Sequence, residues 1–169
     1  MKTFKELLIE LNACNGAKVW AEEKTIEQIV ESCERGDWML WIGRRINLDL
    51  RPFTLAKGLC AEKAKHLMKD QRSIKAVEAA IAFGRGEIEK SELDAAAAAA
   101  ADAAYAAYAA YAAYAAYAAA YAAYAYDADV AYAYDADVAR NKILKECADI
   151  CREHIGQLLI DAVNLKLKQ

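Results

Sequence analysis

Cys147, Cys151 and His154 stand at i, i+4 and i+7, so a helix would bring two thiols and an imidazole to one face. Those are the donor types of a tetrahedral zinc site. A core stripe produces the same spacing, however, and the other candidate ligands, His66, Cys14, Cys33 and Cys60, are distant in sequence. Free cysteine is among the most buried residue types, so a structural role outweighs a metal role here. A Cys–His nucleophilic pair is weaker still, because no orienting group stands nearby. Neither a metal nor a catalytic residue is expected.

Asp127, Asp129, Asp135 and Asp137 form a second constellation, an acidic one, within a Tyr-Asp-Ala-Asp-Val-Ala-Tyr-Ala unit that starts at Tyr126 and begins again at Tyr134. A calcium loop needs Gly for its turn and a bidentate Glu, and the repeat has neither. A solvated acidic face, or a patch for a basic partner, is the better reading.

The third group is Trp38, Trp41, Arg44, Arg45, Arg51 and Lys57. On a helix Trp38, Trp41 and Arg45 fall along one side at i, i+3 and i+7. Aromatic walls beside guanidinium forks hold phosphates and nucleotide bases. The plainer alternative makes both tryptophans core and pairs the arginines with Asp37, Asp49, Asp70 or Glu78; buried Trp in a small helical domain is ordinary. No phosphate loop, GxGxxG, HExxH or nucleophile elbow occurs in the chain.

The elements that must position these residues read as helices. Thr3 with Glu6 forms a capping box ahead of Phe4, Leu7, Leu8 and Leu11, with Asn15-Gly16 as the expected stop. Thr25 with Gln28 opens the next helix, carrying Ile26, Ile29, Val30 and Cys33 inward, with Gly36 as its stop. Asp37 is then expected to cap Trp38–Ile42, a very apolar turn in the helix expected to be most buried. Pro52 suits the first turn of a helix running on through Leu67. Asp70 or Ser73 opens another, which Gly84-Arg85-Gly86 ends.

Between Asp94 and Ala139 the chain is almost wholly alanine, tyrosine and aspartate, without Ser, Thr, Cys, His, Lys or Arg. Alanine is the strongest helix former, so residues 92 to about 125 should be helical. Tyr105, Tyr108, Tyr111, Tyr114 and Tyr117 each lag the last by about 60° and spiral around that helix. Such a ridge suits crossing partners, and a homo-oligomer could form through it. Residues 124–139 also fit a period-two strand; a helix kinked or broken near Asp127–Asp137 is preferred. From Asn141 one broad apolar face runs from Ile143 to Val163.

At 169 residues the chain is expected to be a single helical domain over 1–169: a short-helix array at 3–90, the low-complexity tract at 91–139 and a C-terminal helix at 140–168. A net charge of −3 and pI near 5.5 argue against nucleic-acid binding. Five cysteines without the density of a disulfide scaffold, and no basic-then-apolar leader, point to a cytoplasmic protein. Ala103–Tyr126 is long enough to cross a bilayer but would strand tyrosine hydroxyls at mid-membrane, so no membrane is expected.

Trp38-Met-Leu-Trp41-Ile-Gly43-Arg44, then Asp70-Gln-Arg72-Ser-Ile-Lys-Ala76-Val77-Glu78-Ala79, then the Ala/Tyr/Asp tract together resemble the alanine-rich immunity proteins of bacterial polymorphic-toxin loci and phages. The resemblance covers roughly residues 30–155. It implies a helical, non-enzymatic protein without a cofactor, whose partner is a toxin or defence effector, and supplies no catalytic residues. The regular Tyr-Ala repeats and the acidic duplication depart from that family's pattern. The expected fold is all-α, a compact array of short antiparallel helices packed with a long Ala/Tyr-rich helix and a C-terminal amphipathic helix. The expected function is non-catalytic binding that sequesters a macromolecular partner; the alternative is a sponge for an anionic, nucleotide-like ligand near Trp38, Trp41, Arg44 and Arg45.

Overall fold

The two capping boxes read from the sequence are present. The Thr3 side chain accepts from the Glu6 backbone N–H while Glu6 reaches back to Thr3, and Thr25 and Gln28 do the same. They open α1 (Phe4–Glu10) and α3 (Ile26–Ser32). The structure, a computed structural model, describes residues 2–68, 70–101 and 129–169, the stretch 129–139 by its backbone. The other helices among the described residues are α2 (Asn15–Trp20), α4 (Gly36–Arg45), α5 (Leu50–Glu62), α6 (Gln71–Arg85), α7 (residues 90–101) and α8 (Asp129–Leu167), with a 3-10 turn at Lys65–Leu67. The fold is all-α, and no strand occurs among the described residues.

Several expected boundaries move, each for a local reason. α1 stops at Leu11, because Asn12 takes a left-handed φ of 58° and the Ala13 N–H donates to the Leu8 carbonyl at 2.9 Å. That is a Schellman stop with Asn in the position glycine usually takes. Asn15-Gly16 therefore opens α2 instead of ending α1. Asn47, φ 57°, ends α4 in the same way, with Leu48 N–H donating to the Gly43 carbonyl at 3.1 Å. Gly36 is the first residue of α4, not the stop of α3, and Asp37 lies inside the first turn with its carboxylate held by Arg35. Between the two expected caps for α6, Asp70 is the one that accepts from Arg72 N–H. α5 ends at Glu62, short of the expected Leu67.

The long C-terminal helix organises the core. Cys147, Ala148, Cys151, Ile155, Leu159 and Val163 recur at helical spacing and are buried throughout, and α8 packs against α1, α3, α4 and α5 while α6 lies on α5. Each fully buried Leu or Ile contributes about 1.5–3 kcal/mol. In α4, Gly36, Met39, Ile42 and Gly43 are buried, while Trp38, Leu40 and Trp41 are half-buried. From Asp129 the helix is continuous through Leu167, so within the described residues it is neither a strand nor broken near Asp137. Alanine and the absence of Gly or Pro before Gly156 keep it going. The tyrosine ridge at 105–117, Ala103–Tyr126 and residues 124–128 lie outside the described residues; among those described, no helix is long and apolar enough to cross a membrane.

Candidate binding site

The chain's three tryptophans meet at one place. Trp20, the last residue of α2, and Trp38, on α4, lie 5.9 Å apart between ring centroids with their planes tilted by 59°. Together with Trp41 one turn further along α4, they wall an apolar cavity of about 340 Å³. Phe4 and Leu8 of α1, Ile29 and Val30 of α3, Met39 and Ile42 of α4 and Leu159 of α8 form its floor; Cys14 and Ala17 form the α2 side. Cavities of about 300–1,000 Å³ are typical of small-molecule sites.

A cation sits over each tryptophan. Lys24 Nζ is 4.5 Å from the Trp20 ring centroid, Arg35 Cζ 4.6 Å from Trp38 and Arg45 Cζ 5.5 Å from Trp41. Asp37 is the charged member of the lining among the described residues. Arg35 binds it through two hydrogen bonds of 2.8 and 2.6 Å, and this holds the Asp37 carboxyl below the ordinary carboxylate value. Among the described residues no carboxylate lies in ion-pair range of Lys24, Arg44 or Arg45.

The sequence-predicted residues divide accordingly. Trp38 and Trp41 wall the cavity, Arg45 stacks on Trp41, and Arg44 is exposed beside it. Arg51 does not belong to the site. It stands in the first turn of α5, donates from Nη1 to the Phe83 carbonyl at 2.8 Å, lies 4.5 Å over the Phe83 ring and approaches Glu89 at 3.6 Å, closing the C-terminal end of α6. Lys57 lies over Phe53, also away from the cavity. The expected acidic partners are engaged elsewhere: Asp37 by Arg35, Asp70 by Arg72 and Glu78 by Lys65, while Asp49 caps α5. Asp127 lies outside the described residues, and Asp129, Asp135 and Asp137 are described only as backbone of α8. Trp20 and Arg35 were missed; Arg35 carries a sequence signal, since its spacing from Asp37 and Trp38 permits both contacts.

The cysteines pack as core. Cys60 Sγ points at the Cys147 carbonyl at 3.7 Å, Cys147 Sγ at the Cys60 carbonyl at 3.9 Å, and Cys151 Sγ at the Gly36 carbonyl at 3.9 Å. Burial pushes the Cys147 thiol up to about 12 and raises Cys33; the neighbouring Cys151 thiol, then burial, raises Cys60. His154 is half-buried, 3.9 Å from Glu153, and among the described residues no group of His, Cys, Asp or Glu has the arrangement to hold a metal ion. A polar cleft of about 400 Å³ between α1, the α2–α3 connection and the end of α8 is bridged by the Lys5–Glu22 pair and by Asn164 donating to Glu27 at 2.8 Å. No protein-family model, no curated protein and no solved structure matches the chain.

Proposed function

We propose that this chain is a non-catalytic binding protein, immunity-like or inhibitory, that sequesters a protein partner by receiving an apolar anchor of that partner in the tryptophan cavity. The observation that carries this reading is the cavity itself, apolar within and walled by half-exposed tryptophans with arginines beside them. Tryptophan and arginine are the residues in which interface binding energy concentrates, and a preformed pocket spares part of the ordering cost of association. The segment Trp38–Arg44, which bears much of the resemblance to the alanine-rich immunity proteins, lies on the helix that walls the cavity. That coincidence supports the reading.

A second reading, the sponge for an anionic nucleotide-like ligand, has one specific observation in its favour. Arg45 lies over Trp41 without a carboxylate partner among the described residues, an arrangement open to a phosphate beside a stacked ring. Against it, the cavity lining is almost wholly apolar and offers little to a ribose or phosphate. The two readings separate in a comparison of wild type with Ala17→Leu, which fills the cavity from α2. Loss of a co-purifying protein partner in the variant supports capture by anchor. A partner retained at full affinity by the filled variant refutes it, and nucleotide-dependent stabilisation lost only in Arg45→Gln favours the sponge.

A further inference from the structure

Each tryptophan that walls the cavity carries a cation over its ring. We propose that the occupant of the cavity is an aromatic or large aliphatic side chain flanked by carboxylates on a protein partner. This rests on the cavity being the binding site and adds the chemistry of the segment that fills it. Lys24, Arg35 and Arg45 each lie over one of the three rings that wall the cavity. Ring faces attract cations through their negative quadrupole, and here each ring already has one. A lysine or methylammonium guest, the usual visitor to an aromatic cage, therefore meets rings with that attraction already engaged and like charge nearby.

The balance of charge points the same way. Asp37 is neutralised by Arg35, whereas no carboxylate lies in ion-pair range of Lys24 or Arg45 among the described residues. The interior is apolar, so a carboxylate pushed into it unpaired would lose its hydration without compensation. It stays outside the lining, near Arg45 over Trp41 and near Lys24 over Trp20. Lys24 also donates to the Trp20 carbonyl and borders the neighbouring polar cleft. Charges so placed across an interface speed association and select partners. The group that enters is apolar. At about 340 Å³ the cavity has more than twice the roughly 150 Å³ that accommodates benzene, room for a phenyl or indole ring with its stem. An acidic segment with one large apolar residue satisfies both conditions.

The test uses the full chain and its own tryptophan fluorescence, with probes that carry no tryptophan: acetyl-Glu-Glu-Phe-Glu-Glu-amide, the same peptide with Lys for Glu, and the acidic peptide with Ala for Phe. The acidic phenylalanine peptide should perturb the tryptophans and slow alkylation of Cys14 on the cavity wall. It should bind about tenfold more tightly than the basic one at low salt, within the range that two exposed ion pairs contribute, with the gap narrowing as salt rises. The alanine peptide should do neither. Ala17→Leu should abolish the response; Lys24→Gln with Arg45→Gln should bring the two phenylalanine peptides to parity while both still bind. Should Ala17→Leu fold poorly, the Cys14 protection in wild type decides. Equal or tighter binding of the basic peptide overturns the charge assignment and leaves the cavity reading standing. Silence from both phenylalanine peptides overturns the anchor reading as well, and if 2-naphthoate binds in their place the occupant is a free small anion.

Discussion

A Cβ placed on Gly36 would lie 2.5 Å from the Cβ of Cys147 and 2.6 Å from its carbonyl carbon, so α4 begins hard against the backbone of α8. No side chain other than hydrogen fits there without moving one helix. The contact sets the angle at which α4 leaves α8, and with it the position of Trp38 and Trp41 over the cavity. Gly36→Ala should therefore destabilise the protein by about 1–3 kcal/mol, the usual cost of overpacking a well-filled contact. Gly16→Ala is the control. Its Cβ would meet only Trp38 at 3.8 Å, an ordinary contact, and alanine is the better helix former by up to about 1 kcal/mol. Urea unfolding should lower the midpoint of the first variant and leave that of the second unchanged or raised; equal midpoints would refute the close-approach argument.

Arg152 on α8 closes the other end of this junction. Its Nη1 donates to the carbonyls of Cys33, Val30 and Glu31 at 2.8, 3.3 and 3.4 Å, where α3 ends and its last carbonyls lack helical partners. Arg152→Met keeps much of the apolar stem and removes every donor. The loss should be about 1.5–3 kcal/mol, the range for a hydrogen bond to a charged group. Hydrogen exchange should rise in α3 more than in α6, which does not touch Arg152. A uniform rise across both helices would show that the contact has no local role.

What was legible follows from how far each signal reaches along the chain. The starts of α1 and α3 are set by pairs three residues apart, Thr3 with Glu6 and Thr25 with Gln28, and both were readable. Gly36 reads locally as a helix stop, and only the distant backbone of Cys147 makes it a contact glycine. Asn12 and Asn47 adopt left-handed conformations that glycine more often takes, so two stops went unread. Trp38 and Trp41 were legible as a pair on one helix. Trp20 joins them through tertiary packing of α2, a helix whose N-terminus has no side-chain cap. Arg51 was grouped with them by sequence proximity alone, and its carbonyl partner, Phe83, belongs to α6.

Acid should act on the start of α6. The Arg72 guanidinium and its backbone N–H bond the Asp70 carboxylate and lower it from the ordinary 3.8 to about 2. The ionised form is the one bound in the folded protein, so this contribution is complete above 3.8 and disappears as pH falls toward about 2. Asp70→Asn keeps a capping oxygen without the charge. The difference in Tm between wild type and this variant should be constant from neutral pH down to the ordinary carboxylate range, then shrink below it. A difference that persists unchanged at the acid end would show that the ion pair does not contribute.

The thiols should divide one against four. The attacking species in disulfide exchange is the thiolate, and both burial and a raised pKa suppress it. Cys33, Cys60, Cys147 and Cys151 are buried, and the first three are raised in pKa, Cys147 to about 12. Cys14 is exposed at the start of α2. An aromatic disulfide reagent added to the native protein should therefore release one equivalent of thiolate at once, absent in Cys14→Ser, and the other four only as the protein unfolds. The slow phase should follow the stability of the α4–α8 contact, so Gly36→Ala ought to accelerate it without changing the fast one. Two or more equivalents released at once from wild type would mean that the thiol core between α5 and α8 opens far more readily than its packing implies.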